Sequence, residues 1–331
     1  MRRDSHNLEK RFTEPESWQW GRFTRAGREV RFGFCVPEGA KGIVVALPGL
    51  SEFGEKYFEI ARECLARGYG FYVIDWYGQG ASGRYLRDRL KRHSADFAED
   101  VADLHEMISH ILARDPAVEP RDDDLREGLP LHMLAHSMGG NIGLRYLTLH
   151  PSVFTNASFS APMVGIHAVQ FMPRCFSLGL SRGLNVLLGK VFTSLHGKNS
   201  RLQNKVFTPN PLTSDPLRFP VMLSWMDAQP ALDIGDVTFG WVYHALRSCF
   251  TVQDHVHEIK APCLFALGTK DFIVSNDAIR TAVPRMPHAE LIEIDGARHE
   301  LLMESDPYRS QFTDAFFARI EGCKKRAKQA H

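Results

Sequence analysis

Short apolar runs alternate along this chain with stretches in which apolar residues recur every three or four positions. The runs predict buried β-strands at 30–36, 42–47, 71–75, 131–135, 157–160, 263–267 and 291–294. The stretches with helical spacing predict helices at 58–67, 97–111, 139–149, 276–283 and 307–320. Strands that alternate with helices are typical of a mostly parallel sheet with helices on both faces, so we expect an α/β fold.

The alternation stops between residues 163 and 256. This segment is rich in Phe, Leu, Met and Gly and falls between two predicted strands. It predicts an inserted helical cap with an apolar inner surface that receives an acyl chain, and a purely structural insertion is the alternative. The chain then divides into an N-terminal extension at 1–28, an α/β core at 29–162 and 257–321, the cap at 163–256 and a basic tail at 322–331.

Composition is that of an ordinary globular protein. Of 331 residues, 44% are hydrophobic and 24% are charged, which allows a large core. The 40 basic and 39 acidic side chains leave a net charge of +1, so no overall field attracts nucleic acid. Basic residues cluster near both ends, at Arg2, Arg3, Lys10, Arg11, Lys324, Lys325, Arg326 and Lys328. We expect solvated tails there, with weak contact to an anionic membrane surface as the alternative.

The sequence indicates neither a leader nor a metal or cofactor site. Six cysteines without paired spacing are expected to be reduced thiols, at positions 35, 64, 175, 249, 263 and 323. The first thirty residues contain no apolar signal-peptide core, and no apolar run approaches the ~20 residues of a membrane span. No metal-ligand spacing, P-loop or dinucleotide-binding motif occurs. We expect a cytoplasmic protein that uses no cofactor.

Residues 134–140 carry the strongest chemical signal. They read Leu-Ala-His-Ser-Met-Gly-Gly and place Ser137 between an apolar strand and a glycine-rich helix. Such a sharp turn is the nucleophile elbow of serine hydrolases, where the hydroxyl is held outward. The usual pattern is Gly-x-Ser-x-Gly, and here the small residue Ala135 replaces the first glycine. Gly139, Gly140 and Gly143 allow the helix backbone to press against the sheet.

Two later loops supply partners for this serine. A serine hydroxyl needs an imidazole to take its proton and a carboxylate to orient that imidazole. In this arrangement the acid and then the histidine follow the serine along the chain, each after a strand. Asp271 follows the predicted strand at 263–267, and His299 follows the one at 291–294. We therefore predict a triad of Ser137, His299 and Asp271.

Other acids and histidines of the chain are alternatives to these residues. Asp277 is expected on a helix as a surface or first-turn charge, and Asp295 in a turn. His136 adjoins the serine, but adjacent strand residues point to opposite faces, so we expect it to pack behind the site. Structural roles are expected for the remaining candidates, His93, His132, His150 and His167.

The oxyanion that forms during acyl transfer needs two amide donors in a dry pocket. The Met138 amide is the first candidate, because it follows the nucleophile. The second is expected in residues 48–52, Pro-Gly-Leu-Ser-Glu, where Gly49 permits the turn and the Leu50 amide points inward. An ordinary turn at the end of the strand is the alternative.

Together these motifs resemble a known family. The loop at 48–52 with Tyr57, the turn at 75–83, the elbow, Asp271 and His299 are similar to the α/β-hydrolase superfamily. They are most similar to its monoacylglycerol lipase and lysophospholipase L2 group, also labelled serine aminopeptidase S33-like. The resemblance spans about residues 30–317.

The resemblance implies hydrolysis of a single-acyl glycerolipid or a lysophospholipid. It also implies that Asp75 and Ser82, in the turn Asp-Trp-Tyr-Gly-Gln-Gly-Ala-Ser-Gly, are scaffold residues. Family members usually have His-Gly where this chain has Pro48 and Gly49. That difference affects side-chain contacts of the oxyanion loop but leaves its backbone donors available.

The sequence therefore predicts a cofactor-free serine hydrolase acting on carboxylic esters. Three alternatives stay open: a general carboxylesterase, an S33-type aminopeptidase or acyltransferase, and a non-catalytic binding protein of the same fold. An aminopeptidase needs an acidic pocket for the substrate amine, and the predicted cap offers Asp215, Asp227, Asp233, Asp236 and Asp254.

Overall fold

The computed structural model describes residues 8–113, 128–194, 207 and 210–327, without the side chains of residues 112–113 and 323–327. One eight-stranded sheet forms its centre. The strands are β1 (Gln19–Arg25), β2 (Arg28–Cys35), β3 (Ile43–Leu47), β4 (Gly70–Asp75), β5 (Leu131–His136), β6 (Asn156–Ser160), β7 (Cys263–Gly268) and β8 (Ala289–Ile294). Their order is β1-β2-β4-β3-β5-β6-β7-β8, antiparallel at β1-β2 and β2-β4 and parallel elsewhere. The predicted mostly parallel sheet is confirmed.

Helices cover both faces of this sheet. They are α1 (Phe58–Ala66), α2 (Phe97–Ala113), α3 (Ser137–Leu149), α4 (Arg174–Leu188), α5 (Phe219–Ala228), α6 (Phe239–His255), α7 (Asn276–Ala282) and α8 (Asp306–Ala327). Strand β3 shows why the strands are apolar throughout. Val45 and Leu47 join the core beneath α2 and α3, whereas Val44 and Ala46 join the core beneath α1 and α8. A strand buried on both faces has no polar side to display.

Strand β1 was not predicted and corrects the proposed N-terminal extension at 1–28. It forms a hairpin with β2, in which Phe23 pairs with Val30, so the edge of the sheet begins at Gln19. Within β1 only Phe23 is buried. An edge strand with one buried side chain lacks the apolar run that identifies an inner strand.

The segment predicted as a cap contains α4, α5 and α6. Helix α6 is part of the core, because Ala245, Cys249 and Val252 are buried in the same cluster as α3. Helix α4 does the opposite of what we expected. It buries Ser177 and Ser181 and exposes Phe176, Leu180 and Leu187, so its apolar face points outward.

The helix after the elbow lies unusually close to the sheet, as predicted from its glycines. A Cβ on Gly139 would lie 2.1 Å from the carbonyl oxygen of Leu47, and one on Gly143 would lie 2.7 Å from the Met133 sulfur. A Cβ on Gly140 would lie 2.6 Å from Cβ of Pro162. These contacts confirm that the helix backbone needs glycine here.

The cysteines and the basic ends of the chain lie partly outside the described residues. Cys35, Cys64, Cys175, Cys249 and Cys263 are free, and the Cys323 side chain lies outside the described residues. Of the basic ends, Arg11 pairs with Glu9 and Glu59, whereas Arg2, Arg3 and the side chains of 324–328 are not described. In the described part of the chain, no helix combines the length and apolarity needed to cross a bilayer.

We expect the same substitution to have opposite effects at two helical glycines. Gly139→Ala should destabilise the protein by about 1–3 kcal/mol, because backbone of β3 blocks the added methyl group. Gly183→Ala in α4 meets nothing within 4 Å and should stabilise it by about 0.5–1 kcal/mol. Urea unfolding of both variants measures this. Shifts of the same sign would contradict the proposed close approach.

Candidate active site

Ser137 stands at the junction of the central strand β5 and helix α3. Its φ is 50°, a left-handed value that is uncommon for a residue with a side chain. The strand therefore reverses direction sharply at this residue, and the helix starts at Ser137 itself rather than at Gly139. Such strain persists only where the surrounding packing holds it, here by the close approach of α3 to β3.

The structure brings Ser137, His299 and Asp271 together, although 162 residues separate the serine from the histidine. Nε2 of His299 lies 3.0 Å from Oγ of Ser137, and Nδ1 lies 2.7 Å from Oδ2 of Asp271. A carboxylate only accepts hydrogen bonds, so Nδ1 carries the ring proton and Nε2 is left to accept the serine proton. All three side chains are buried.

The environment tunes this pair in opposite directions. Burial of the His299 ring disfavours its charged form, but the charge and hydrogen bond of Asp271 outweigh burial and raise the pKa of His299 above its ordinary value. Burial of Asp271 is likewise outweighed, by His299 and by N–H donors of Ile273 and Val274, so its pKa is lowered. Asp271 is therefore ionised at neutral pH and stabilises an imidazolium at His299.

The loop at 48–52 lies against the nucleophile. A Cβ on Gly49 would lie 3.2 Å from Cβ of Ser137. The Gly49 amide donates to the Glu52 carboxylate and the Ser51 amide to Oε1 of Gln79, whereas among the described residues no acceptor meets the Leu50 amide between them. The Met138 amide is in the first turn of α3, where no intrahelical acceptor exists. Their assignment as oxyanion donors stays a prediction.

The other acids and histidines that could have completed the triad have other partners. Asp277 is exposed and bonded to Arg280, and Asp295 accepts the Thr269 hydroxyl in its turn. His136 lies behind the site, with Nδ1 2.9 Å from the Ser160 carbonyl oxygen. Structural contacts engage His93 with Thr238, His132 with Asn156, His150 with His105, and His167 with Gln170.

Asp75 and Ser82 have the scaffold contacts that were expected of them. Asp75 accepts hydrogen bonds from the Gly54 and Ala81 amides and from Arg31. The Ser82 hydroxyl donates to the Asp75 carbonyl oxygen at 2.6 Å. The bond from Gly54 ties the 75–83 turn to the start of the helical segment Gly54–Tyr57, which precedes it in the chain.

A buried charged cluster behind the oxyanion loop was not predicted. Lys56 lies 2.5 Å from Glu52 and 2.7 Å from Glu300, and the Tyr57 hydroxyl donates to Glu52 at 2.7 Å. Burial alone would raise the pKa of Glu52, but Lys56 and His136 outweigh it and lower that pKa to about 2. Glu52 is therefore a fixed anion that holds the Gly49 amide. The sequence signal that could have predicted this cluster is the pair Glu52 and Lys56, which lie four residues apart shortly after Gly49.

A cavity of about 350 Å³ adjoins the oxyanion loop. Its lining includes Leu50 and the apolar residues Met222, Leu223, Met226, Ile234 and Val237. Within the predicted cap segment at 163–256, helix α5 and the residues after it supply this apolar wall. A second cavity, of about 310 Å³, has no residue of the triad or of the oxyanion loop in its lining.

Within the described residues, no group of three His, Cys, Asp or Glu side chains is placed to hold a metal ion.

The family model for serine aminopeptidase S33 matches residues 38–306. The chain belongs to the serine aminopeptidase S33 family.

Curated relatives of this S33-family hydrolase cover most of its length. It is 28% identical over 278 residues to the probable lysophospholipase L2 of Haemophilus influenzae, covering 82% of each chain. It is 28% identical to the lysophospholipase L2 of Escherichia coli, covering 81% of this chain and 77% of that one. It is 25% identical to the monoacylglycerol lipase of Mycolicibacterium smegmatis, covering 80% and 84%.

A solved structure of a soluble variant of the Saccharomyces cerevisiae monoglyceride lipase superposes with a TM-score of 0.70 at 18% identity. It covers 95% of this S33-family chain and 96% of that one. A thermostable carboxyl esterase of Bacillus coagulans reaches 0.68 at 16% identity, covering 93% and 99%. These likenesses confirm the α/β-hydrolase fold. The family match and the curated relatives confirm the predicted family group and the class of serine ester hydrolase.

We expect the activity of this S33-family enzyme to fall as the pH drops through the pKa of His299, because a protonated ring cannot take the Ser137 proton. Asp271 raises that pKa, so the acid midpoint of kcat/KM should lie above the ~6.5 of an ordinary histidine. Asp271→Asn should lower kcat by about 10⁴-fold and move the midpoint down. A pH profile of kcat/KM on a soluble ester measures both effects.

Asp277→Asn is the matched control, because Asp277 is an exposed carboxylate on the neighbouring helix α7. It should leave both the rate and the midpoint unchanged. Wild-type rate and midpoint in Asp271→Asn would show that Asp271 does not orient the base.

Proposed function

We propose that this protein hydrolyses the carboxylic ester of single-chain lipids, lysophospholipids or monoacylglycerols, through an acyl-enzyme on Ser137. The supporting observation is the continuous relay of 3.0 Å and 2.7 Å from Ser137 through His299 to Asp271. The relay stands beside an oxyanion loop and an apolar cavity, which is the minimum set for acyl transfer from a lipid.

In the proposed reaction, Oγ of Ser137 attacks the ester carbonyl carbon while Nε2 of His299 takes its proton. The Leu50 and Met138 amides stabilise the oxyanion. His299, held by Asp271, then donates the proton to the leaving alcohol, and an acyl ester remains on Ser137. Water, deprotonated by His299, attacks that ester and releases the fatty acid.

We propose that the acyl chain occupies the cavity beside Leu50. Its walls come from α5 and residues 234–237, within the segment proposed as the cap at 163–256. We propose the division of the chain predicted from the sequence, with β1 assigned to the core and with α6 as the part of the 163–256 segment that packs into the core. The thioether side chains of Met222 and Met226 adapt to chains of different length, because methionine is unbranched and flexible.

Cleavage of an amide with a free amine is the second candidate. Of the five carboxylates considered for an amine pocket, Asp215 pairs with Arg218 and Asp254 with Arg174. Asp236 does line the cavity, but it accepts a hydrogen bond from Ser194. The apolar wall therefore favours an acyl chain over an amine.

We also propose a cytoplasmic location, supported by the free thiols.

We further propose that α4 meets the surface of the lipid aggregate that supplies the substrate. Leu187, Leu180 and Phe176 are 79%, 49% and 57% exposed, which is unusual for large apolar side chains on one helix. The sequence from 163 to 214 contains six Lys or Arg and no Asp or Glu. An apolar face with flanking cations suits an interface that contains anionic lipids.

Ser137→Ala should reduce ester hydrolysis by at least ~10³-fold and abolish labelling by a fluorophosphonate, which reacts with an activated serine. Ser109→Ala, on the exposed side of α2, is the control and should retain both. Persistent hydrolysis by purified Ser137→Ala protein would refute the assignment. Folded wild-type protein that resists labelling would favour a non-catalytic binding protein.

A substrate panel tests the proposed ester. We expect lysophospholipids or monoacylglycerols to have the highest kcat/KM, because a chain that fills the cavity gains ~0.8 kcal/mol per buried methylene. The panel includes short p-nitrophenyl esters and aminoacyl amides. Preference for the short esters would support a general carboxylesterase, and preference for the amides an aminopeptidase.

Leu187→Glu should weaken binding to vesicles of phosphatidylcholine with phosphatidylglycerol and slow hydrolysis of aggregated lipid, while the rate on a soluble ester stays unchanged. Leu149→Glu is the matched control, since Leu149 is 63% exposed at the end of α3. Vesicle sedimentation and kinetics measure the effect. Equal effects of the two variants would contradict a specific role for α4.

A further inference from the structure

Gln79 is completely buried beneath the oxyanion loop and all of its hydrogen-bonding groups are used there. Its Nε2 donates to the carbonyl oxygens of Gly49 and Glu52, each at 2.8 Å. Its Oε1 accepts from the Ser51 amide at 3.1 Å and from Nε of Arg92 at 2.9 Å. One side chain therefore holds the loop on both sides of Leu50.

The bond to Gly49 determines where the Leu50 amide points. The Gly49 carbonyl and the Leu50 N–H belong to one trans peptide unit, whose C=O and N–H point in opposite directions. With the carbonyl fixed to Gln79, the N–H is directed to the other side of the loop. The Gly49 residue itself lies against Cβ of Ser137, so the loop is beside the nucleophile.

The same side chain stabilises a strained backbone. Ser51 has a φ of 62°, a left-handed value that is unfavourable for serine. Its amide donates to Oε1 of Gln79. Without that acceptor, the peptide unit between Leu50 and Ser51 would lose the hydrogen bond that stabilises its strained conformation.

Arg92 decides which way the Gln79 amide group is turned. Arg92 is fully buried, and among the described residues no carboxylate lies within 4.0 Å of its guanidinium. A guanidinium only donates, so it requires the oxygen of Gln79 on its side and leaves the NH₂ group to face the loop. Arg92 also donates to the His93 carbonyl oxygen at 2.6 Å and reaches 3.5 Å from the Met138 sulfur.

The backbone of Arg92 is itself fixed to the wall of the cavity. Its amide donates to the Asp236 carbonyl oxygen, and its carbonyl accepts from the Thr238 amide. Gly78 provides the space for the side chain, because a Cβ there would lie 2.7 Å from Nη1 of Arg92. The guanidinium is thus held in one place next to Gln79.

We propose that Gln79, oriented by Arg92, is a positioning residue that aims the Leu50 amide at the oxyanion. This rests on the proposed function, because it presupposes acyl transfer at Ser137. Neither side chain touches the substrate. Both act by fixing one backbone donor, whose benefit arises in the transition state and not in substrate binding.

The test compares Gln79→Met with Ser82→Ala. Methionine preserves the volume of Gln79 and removes its four hydrogen bonds to the loop and Arg92. Ser82 is buried in the same turn but bonds Arg31 and the Asp75 carbonyl, away from the oxyanion loop. The readouts are kcat and KM on a soluble p-nitrophenyl ester. They also include inhibition by an alkyl trifluoromethyl ketone and by the secondary alcohol of equal chain length.

The ketone forms a tetrahedral adduct with Ser137 that carries an oxyanion, whereas the alcohol forms none. We expect Gln79→Met to lower kcat by about 10- to 100-fold, to change KM by less than about 3-fold, and to weaken the ketone by a similar factor without weakening the alcohol. Arg92→Met should show the same pattern with a smaller effect. Ser82→Ala should keep the wild-type ratio of ketone to alcohol affinity.

A wild-type ratio in Gln79→Met, or an equal change in Ser82→Ala, would overturn the inference while Ser137-dependent hydrolysis stands. Hydrolysis that persists in Ser137→Ala would overturn the proposed function and this inference together. Gln79→Glu is the second variant where methionine prevents folding. It keeps the acceptor for Ser51 and Arg92 but replaces the donor to Gly49 with an acceptor, so the same loss of ketone affinity is expected.

Discussion

The hydrogen-bonded register of the parallel strands β3, β5, β7 and β8 is the constraint on which the site depends. Leu47 pairs with Ala135, and Gly268 pairs with Ile294, so the loops that follow these strands open at one edge of the sheet. Those loops carry Leu50, Ser137, Asp271 and His299. Because side chains alternate between faces, a slip of one residue in any ladder would exchange the side chains that pack on the two faces and displace the loop that follows the strand.

Local strain concentrates at that edge. Ser51 and Ser137 both have left-handed backbone conformations, and they flank the place where the substrate carbonyl is proposed to bind. Each is held by close packing or by buried polar groups, namely Gly139 on the Leu47 carbonyl and Gln79 under the loop. The buried ions Glu52 and Lys56, with the partly buried Glu300, serve the same purpose. Desolvation offsets much of their Coulomb attraction and leaves geometry as their main contribution.

The segment between β6 and β7 combines two kinds of packing. Helix α6 joins the core, while α4 packs on it through small residues such as Ser177 and Ser181 and exposes Leu180, Leu187 and Leu188. Helix α5 faces the cavity near Leu50. This arrangement gives the protein one apolar surface beside the loop at 48–52 and another toward solvent, and both are consistent with the proposed lipid substrate.

The sequence alone predicts a mostly parallel sheet and the three side chains that the structure brings together. Both are local signals: apolar runs mark the strands, and Ser137, Asp271 and His299 each follow a strand in chain order. It did not indicate β1, whose Phe23 is its one buried side chain. The face that α4 exposes, and the contacts of Gln79 with Arg92 and Gly49, are visible only in the folded chain. Contacts between residues 13 and 30 positions apart arise when the chain folds, and no local pattern encodes them.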